Sequence, residues 1–150
     1  MKKLPTLILC AFLATTSIYA AETSDKTSTP LFKEVLKLTK EGKLSEAMTQ
    51  VNSMLAQDPK NTNALRARGN IFFAENKFEE AYKDFDAIVE LAPKSARAYF
   101  DRGIAGFTVG NDVKAVEDID HALSMNPKLA KSLEAAPKLL EKMDELRNGS

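Results

Sequence analysis

Three prolines set the period of this chain. Pro59, Pro93 and Pro127 stand 34 residues apart, and an alanine lies twelve residues before each one: Ala47, Ala81 and Ala115. Further upstream each period has a small-turn position, Gly42, Asn76 and Gly110. Glycine and asparagine tolerate the left-handed backbone that ends a helix, and proline cannot continue one. Each period therefore reads as helix, tight turn, helix, stop. A unit this short cannot bury its own apolar stripe, so successive units have to stack and share a core.

The apolar positions repeat in register. The first helix of the second period carries Leu65, Gly69 and Phe72. The third carries Tyr99 and Gly103, with Gly106 in the aromatic place. The first has Leu31 and Leu38, with Val35 where the others have glycine. On the second helices the series is Ala47, Val51 and Met54, then Ala81, Phe85 and Ile88, then Ala115, Ile119 and Ala122. Gly69 and Gly103 face Ala81 and Ala115 at the helix crossings, where small residues permit close approach. Val35 should hold the first pair slightly further apart.

Charge repeats too. Arg68 and Arg102 precede the two glycines, and sixteen residues after each comes an acid, Asp84 and Asp118. The first period has neither, carrying Glu34 and Gln50. Arginine and aspartate come and go together, which predicts an ion pair joining the two helices of a repeat. A guanidinium suits such a two-point contact better than an ammonium. The competing reading leaves these groups as ordinary solvated charges.

A helix-turn-helix period of 34 residues, with large apolar, glycine and aromatic positions on the first helix and alanine on the second, resembles the tetratricopeptide repeat family. The resemblance spans about residues 30–127, as three repeats near 28–61, 62–95 and 96–129. It implies an all-α helical solenoid whose first helices line a concave groove. On those helices the groove-facing positions are Phe32 and Leu36, then Arg66, Asn70 and Phe73, then Arg97, Phe100, Ile104 and Phe107. Lys131 joins them from the tail. Asparagine bonds a ligand's backbone as donor and acceptor, the arginines suit a carboxylate, and the phenylalanines offer area for an extended segment or an amphipathic helix. Phe100 and Phe107 are expected to be the more exposed rings. The competing reading packs some of these rings on each other or beneath the tail.

Some members of the family grip a C-terminal carboxylate with Lys, Asn and Arg at fixed first-helix positions. Arg66, Asn70 and Lys131 fall on matching slots when that clamp is shifted by one repeat. Asp101 and Ala135 occupy the remaining slots, and an acid there opposes an anionic ligand. That specific function is not carried over.

The tail beyond Pro127 keeps helical spacing through Leu129, Leu133, Leu140, Met143 and Leu146. Pro137 divides it, giving a short helix before Ala136 and a second from Pro137 to Leu146. These capping helices, over about 130–147, close the end of the third repeat and turn Glu141, Lys142, Glu145 and Arg147 toward water.

At the other end, a basic start and the apolar run Leu7 to Ala14 have the layout of a secretory signal over residues 1–20. Residues 21–29 then form a flexible polar leader. The apolar run is short for a bilayer span, so membrane insertion is not expected after cleavage. Cys10 has Leu9 before it instead of a small residue, which argues against lipidation. The short basic start suggests a bacterial periplasm or secretion.

Composition restricts the chemistry. There are 21 basic and 21 acidic residues, one Cys, one His and no Trp. Removing Lys2 and Lys3 with the signal leaves 19 basic residues against 21 acidic, so no nucleic-acid partner is implied. His121 stands alone on a helix, and a metal site needs several ligands. No GxSxG elbow or phosphate loop is present. The expectation is a noncatalytic scaffold or adaptor, without cofactor or metal, that binds a protein or peptide segment. Self-assembly as a homo-oligomer and a regulatory subunit of a larger envelope enzyme are the alternatives.

Overall fold

A computed structural model of the chain describes residues 30–134 and 136–149. The expected signal and leader lie outside the described residues. Eight α-helices occur among the described residues, and no strand. They are α1 (Pro30–Lys40), α2 (Leu44–Gln57), α3 (Thr62–Ala74), α4 (Phe78–Leu91), α5 (Ala96–Thr108), α6 (Asp112–Met125), α7 (Ala130–Glu134) and α8 (Pro137–Asn148). A single 3-10 turn, Pro127–Leu129, leads into α7. The expected all-α, paired-helix fold is what forms.

The turns inside the three pairs share one construction. Gly42, Asn76 and Gly110 take φ of 74°, 60° and 82°. The next amide then reaches back five residues: Lys43 N to Leu38 O at 2.9 Å, Lys77 N to Phe72 O at 2.8 Å and Asn111 N to Gly106 O at 2.9 Å. This is the Schellman closure, which satisfies carbonyls orphaned at a helix end. It fixes the turn geometry and reverses the chain.

The prolines act through the residue before them. Asp58, Ala92 and Asn126 leave the helical region, with ψ of 94°, 65° and 92°. Clash with the proline ring disfavours helical backbone at that position. The following helices then start on side-chain caps. Asn61 Oδ1 accepts from Ala64 N at 3.0 Å, and Ser95 Oγ accepts from Ala98 N at 3.3 Å.

Two units make up the described chain, one ending at Lys94 and the other starting at Ser95. In the first, α1 and α2 pack on each other and on α3, which pairs with α4. Val35, Leu38, Val51 and Met54 share a core with Ala64, Ala67 and Ile71 of α3. Val35 and Val51 are fully buried. Where later pairs set a glycine against Phe85 or Ile119, the first pair sets Val35 in register with the smaller Val51, so volume is conserved across the crossing.

The glycines of the later pairs are sterically required. A Cβ on Gly69 would stand 2.9 Å from the Phe85 ring, and one on Gly103 would stand 2.6 Å from Ile119 Cγ1 and 3.0 Å from the Ala115 carbonyl. Gly106 replaces the expected aromatic for a similar reason. Its Cβ would lie 3.1 Å from that of Ala115.

In the second unit α5 pairs with α6, and α8 also packs on α6. Leu129, Leu133, Leu139 and Met143 are buried. Leu139 takes the buried place expected for Leu140, which is only partly covered. Two residues expected to face water instead tie α8 to α6. Lys142 Nζ donates to Asp112 Oδ1 at 2.7 Å, and Arg147 pairs with Asp120.

Candidate functional site

Inside each of the later pairs stands the expected ion pair. Arg68 Nε donates to Asp84 Oδ2 at 2.9 Å and Nη2 to Oδ1 at 2.7 Å. Arg102 repeats the geometry on Asp118 at 2.7 and 2.8 Å. Both bonds are in place twice, so the guanidinium fork is fully used. The Asp84 contact holds the Arg68 pKa above its ordinary value. Aromatic faces lie beside both arginines, Phe72 at 5.9 Å from Arg68 and Tyr99 at 5.6 Å from Arg102. These arginines join helices. They are not offered to a ligand.

The expected binding residues fall into two groups, one in each unit. On α1 and α3, Leu36 is 36% exposed, and Phe32 is partly buried against the first core. Arg66 and Asn70 are both partly exposed, one turn apart on α3. Arg66 Nη1 donates to Asn63 Oδ1 at a long 3.5 Å. Phe73 is buried and meets the edge of Phe78 at 5.1 Å. It belongs to the core of its pair.

On α5 the expectation of exposed rings is corrected. Phe100 and Phe107 are 1% and 2% exposed, and Ile104 is buried with them. Arg97 lies over the Phe100 ring at 5.6 Å, and Lys142 of α8 lies over Phe107 at 5.3 Å. The tail covers Phe107, as the competing reading had it. Arg97 also meets Asp101, with Nε 2.6 Å from Oδ1, so the arginine expected to hold a ligand carboxylate is already placed on one from its own helix. Lys131 is exposed on α7, and Ala135 lies outside the described residues.

The α1–α3 face thus keeps more accessible side chains than α5 does. Alongside Leu36, the residues Lys33, Lys37, Lys40 and Glu41 line one open depression on α1. The family register passes over these lysines, because it places Phe32 and Leu36 in the groove. Their spacing at i, i+4 and i+7 is the signal that marks them as one stripe.

His121 is exposed, with its ring edge-on to Tyr99 at 4.6 Å. Among the described residues no group of three or more His, Cys, Asp or Glu is placed to hold a metal ion. No described helix is long and apolar enough to cross a membrane.

Paired helices with Schellman turns, glycine crossings and polar first-helix positions define a helical repeat protein. The tetratricopeptide repeat family model matches residues 33–96 and 66–130, more than half of the chain, and the chain belongs to that family. No curated protein matches the sequence significantly. Among solved structures, the first tetratricopeptide domain of Spaghetti (RPAP3), bound to the HSP90 peptide SRMEEVD, is 27% identical. It has a TM-score of 0.67, covering 78% of this chain and 90% of that one. A tetratricopeptide repeat protein from Parabacteroides merdae is 20% identical, with a TM-score of 0.65 over 95% of this chain and 59% of the other. MamA from Desulfovibrio magneticus is 18% identical, with a TM-score of 0.59 over 99% of both chains. The last two likenesses concern the fold alone.

Proposed function

We propose that this chain is an exported, noncatalytic scaffold or adaptor that takes up a protein segment on its first helices. The observation that carries this reading is the pairing of Arg66 and Asn70, one turn apart and partly exposed on α3 beside the exposed Leu36 of α1. A guanidinium and an amide there supply directional donors and an acceptor, and Leu36 supplies apolar area. Support comes from the RPAP3 domain, a similar structure solved with a peptide bound. The export part rests on the signal-like layout of residues 1–20 and places the protein in the periplasm or outside the cell.

The test is a pull-down from envelope extract with the wild-type chain and an Arg66→Ala/Asn70→Ala variant. The reading expects partners recovered by the wild type and lost with the variant. Identical recovery by both removes the α3 anchor. For export, N-terminal sequencing of the protein from the periplasmic fraction should start near Ala21. A chain found only in the cytoplasm with Met1 retained ends that part.

A further inference from the structure

Charge is divided between the two helices of each pair. The first helices α1, α3 and α5 carry seven Lys and Arg against two acids. The second helices α2, α4 and α6 carry ten acids against two Lys. A near-neutral chain has thus been sorted into a basic and an acidic set of helices. Two arginines and two aspartates are consumed by the internal pairs of Arg68 with Asp84 and Arg102 with Asp118. Subtracting them leaves the sorting intact.

In the unit ending at Lys94 the division is sharpest. There α1 and α3 hold five basic residues and one acid, Glu34. Glu34 lies 3.7 Å from Lys37, a loose surface contact. Lys33 and Lys40 are exposed, and among the described residues neither has an acid within ion-pair distance. Leu36 lies among these lysines and shares the register of Asn70, one repeat on. The lysine strip is therefore continuous with the face proposed above.

We infer that the α1–α3 face takes an acidic peptide segment, recognised through its side-chain carboxylates by Lys33, Lys37 and Lys40, with Arg66 and Asn70 alongside. This rests on the proposed reading of that face and adds the charge of the partner. The physical basis is complementarity: clustered like charges create a local potential that steers and retains the opposite sign. A long polyanion fits less well, because the acidic second helices of the same pairs repel whatever extends past the face, and nucleic-acid binding depends on extended phosphate neutralisation. A membrane surface fits less well because α1 exposes a single large apolar side chain, Leu36, and interfacial helices need a broad apolar face.

The probe is a short fluorescein-labelled peptide in which Glu alternates with Ser and Leu. It is amidated at its C-terminus, so that only side-chain carboxylates are presented. A second probe replaces every Glu with Gln. Anisotropy titrations against the purified chain use both probes at low and high salt, and are repeated with a Lys33→Glu/Lys37→Glu variant. These lysines are exposed, so the variant is expected to fold, and far-UV circular dichroism checks it.

The expected result is binding of the Glu probe that weakens at least about tenfold at high salt and about tenfold in the variant, with the Gln probe weaker than the Glu probe. Equal, salt-insensitive binding of both probes overturns the inference and leaves the peptide-binding reading standing. Binding of neither probe also overturns it, while the Arg66/Asn70 pull-down judges the wider reading separately. Cosedimentation with phosphatidylglycerol vesicles that depends on the same lysines, without binding of the Glu probe, assigns the strip to a lipid surface and overturns it as well.

Discussion

Arg102 and Asp118 are sixteen residues apart in sequence and share two hydrogen bonds, 2.7 and 2.8 Å long, with both side chains less than a tenth exposed. The Arg68–Asp84 pair has the same form, but the arginine side chain is 31% exposed. The two pairs make a graded experiment within one protein. Removing one partner of a buried ion pair strands the other charge at low dielectric. Removing both strands neither.

Arg102→Ala is expected to destabilise the chain by about 3–5 kcal/mol, while Arg102→Met/Asp118→Leu recovers most of that loss. Arg68→Ala should cost less, about 1–3 kcal/mol, because water reaches the guanidinium. Urea denaturation of the four proteins checks the order. Equal costs for Arg68→Ala and Arg102→Ala count against burial as the cause.

At the helix crossings, Gly103→Ala forces a Cβ to within 2.6 Å of Ile119 Cγ1 and 3.0 Å of a backbone oxygen. It is expected to cost about 1–3 kcal/mol. Gly69→Ala meets only the Phe85 ring, which can swing, so its cost should be smaller. Gly42→Ala finds open space but keeps φ at 74°, a backbone penalty of about 1–2 kcal/mol. Thermal unfolding of the three variants separates steric from backbone strain, and the Gly103 cost should fall when combined with Ile119→Ala.

The tail offers a test of register. Met143 is fully buried, and Leu139 is 5% exposed. Met143→Ala and Leu139→Ala are each expected to cost about 2–5 kcal/mol. Leu140→Ala should cost clearly less. Near-equal losses at positions 139 and 140 contradict the observed face of α8.

The first pair has no Arg–Asp latch, since Glu34 and Gln50 stand in those places. Native-state hydrogen exchange should therefore show α1 amides exchanging roughly tenfold or more faster than those of α3 and α5. Introducing Glu34→Arg with Gln50→Asp should slow α1 selectively. Uniform exchange across all three first helices rules out the latch as the source of the difference.

In the turn after α1, Lys43 Nζ lies 2.9 Å from Glu41 Oε2. That hydrogen bond holds the Glu41 carboxyl below its ordinary value and raises the Lys43 ammonium above its own. A depressed carboxyl contributes stability above its unfolded pKa and loses it as pH falls through the folded one. NMR titration should place the Glu41 midpoint below that of a Lys43→Ala variant. Because both groups are exposed, global stability should change little.

Much of this protein is legible in the order of its residues. The glycine and asparagine turns, the proline stops, the small residues at the crossings and the two Arg–Asp pairs all follow from the 34-residue register. Each is decided inside one repeat, by neighbours whose spacing is fixed by two helices and a tight turn. The sorting of basic and acidic residues between first and second helices is also written in the sequence.

Which faces remain open is settled only by tertiary packing. Phe107 has the spacing of a groove residue, yet Lys142 of α8 lies over it. Spacing does not choose between Leu139 and Leu140, because both fit a helical stripe with Met143. Lys142 and Arg147 look like solvent-facing charges until Asp112 and Asp120 of α6 are brought beside them. Periodicity determines which stripe of a helix is apolar. What covers a given side chain depends on a partner from another turn of the chain, and one-dimensional spacing carries no information about that partner.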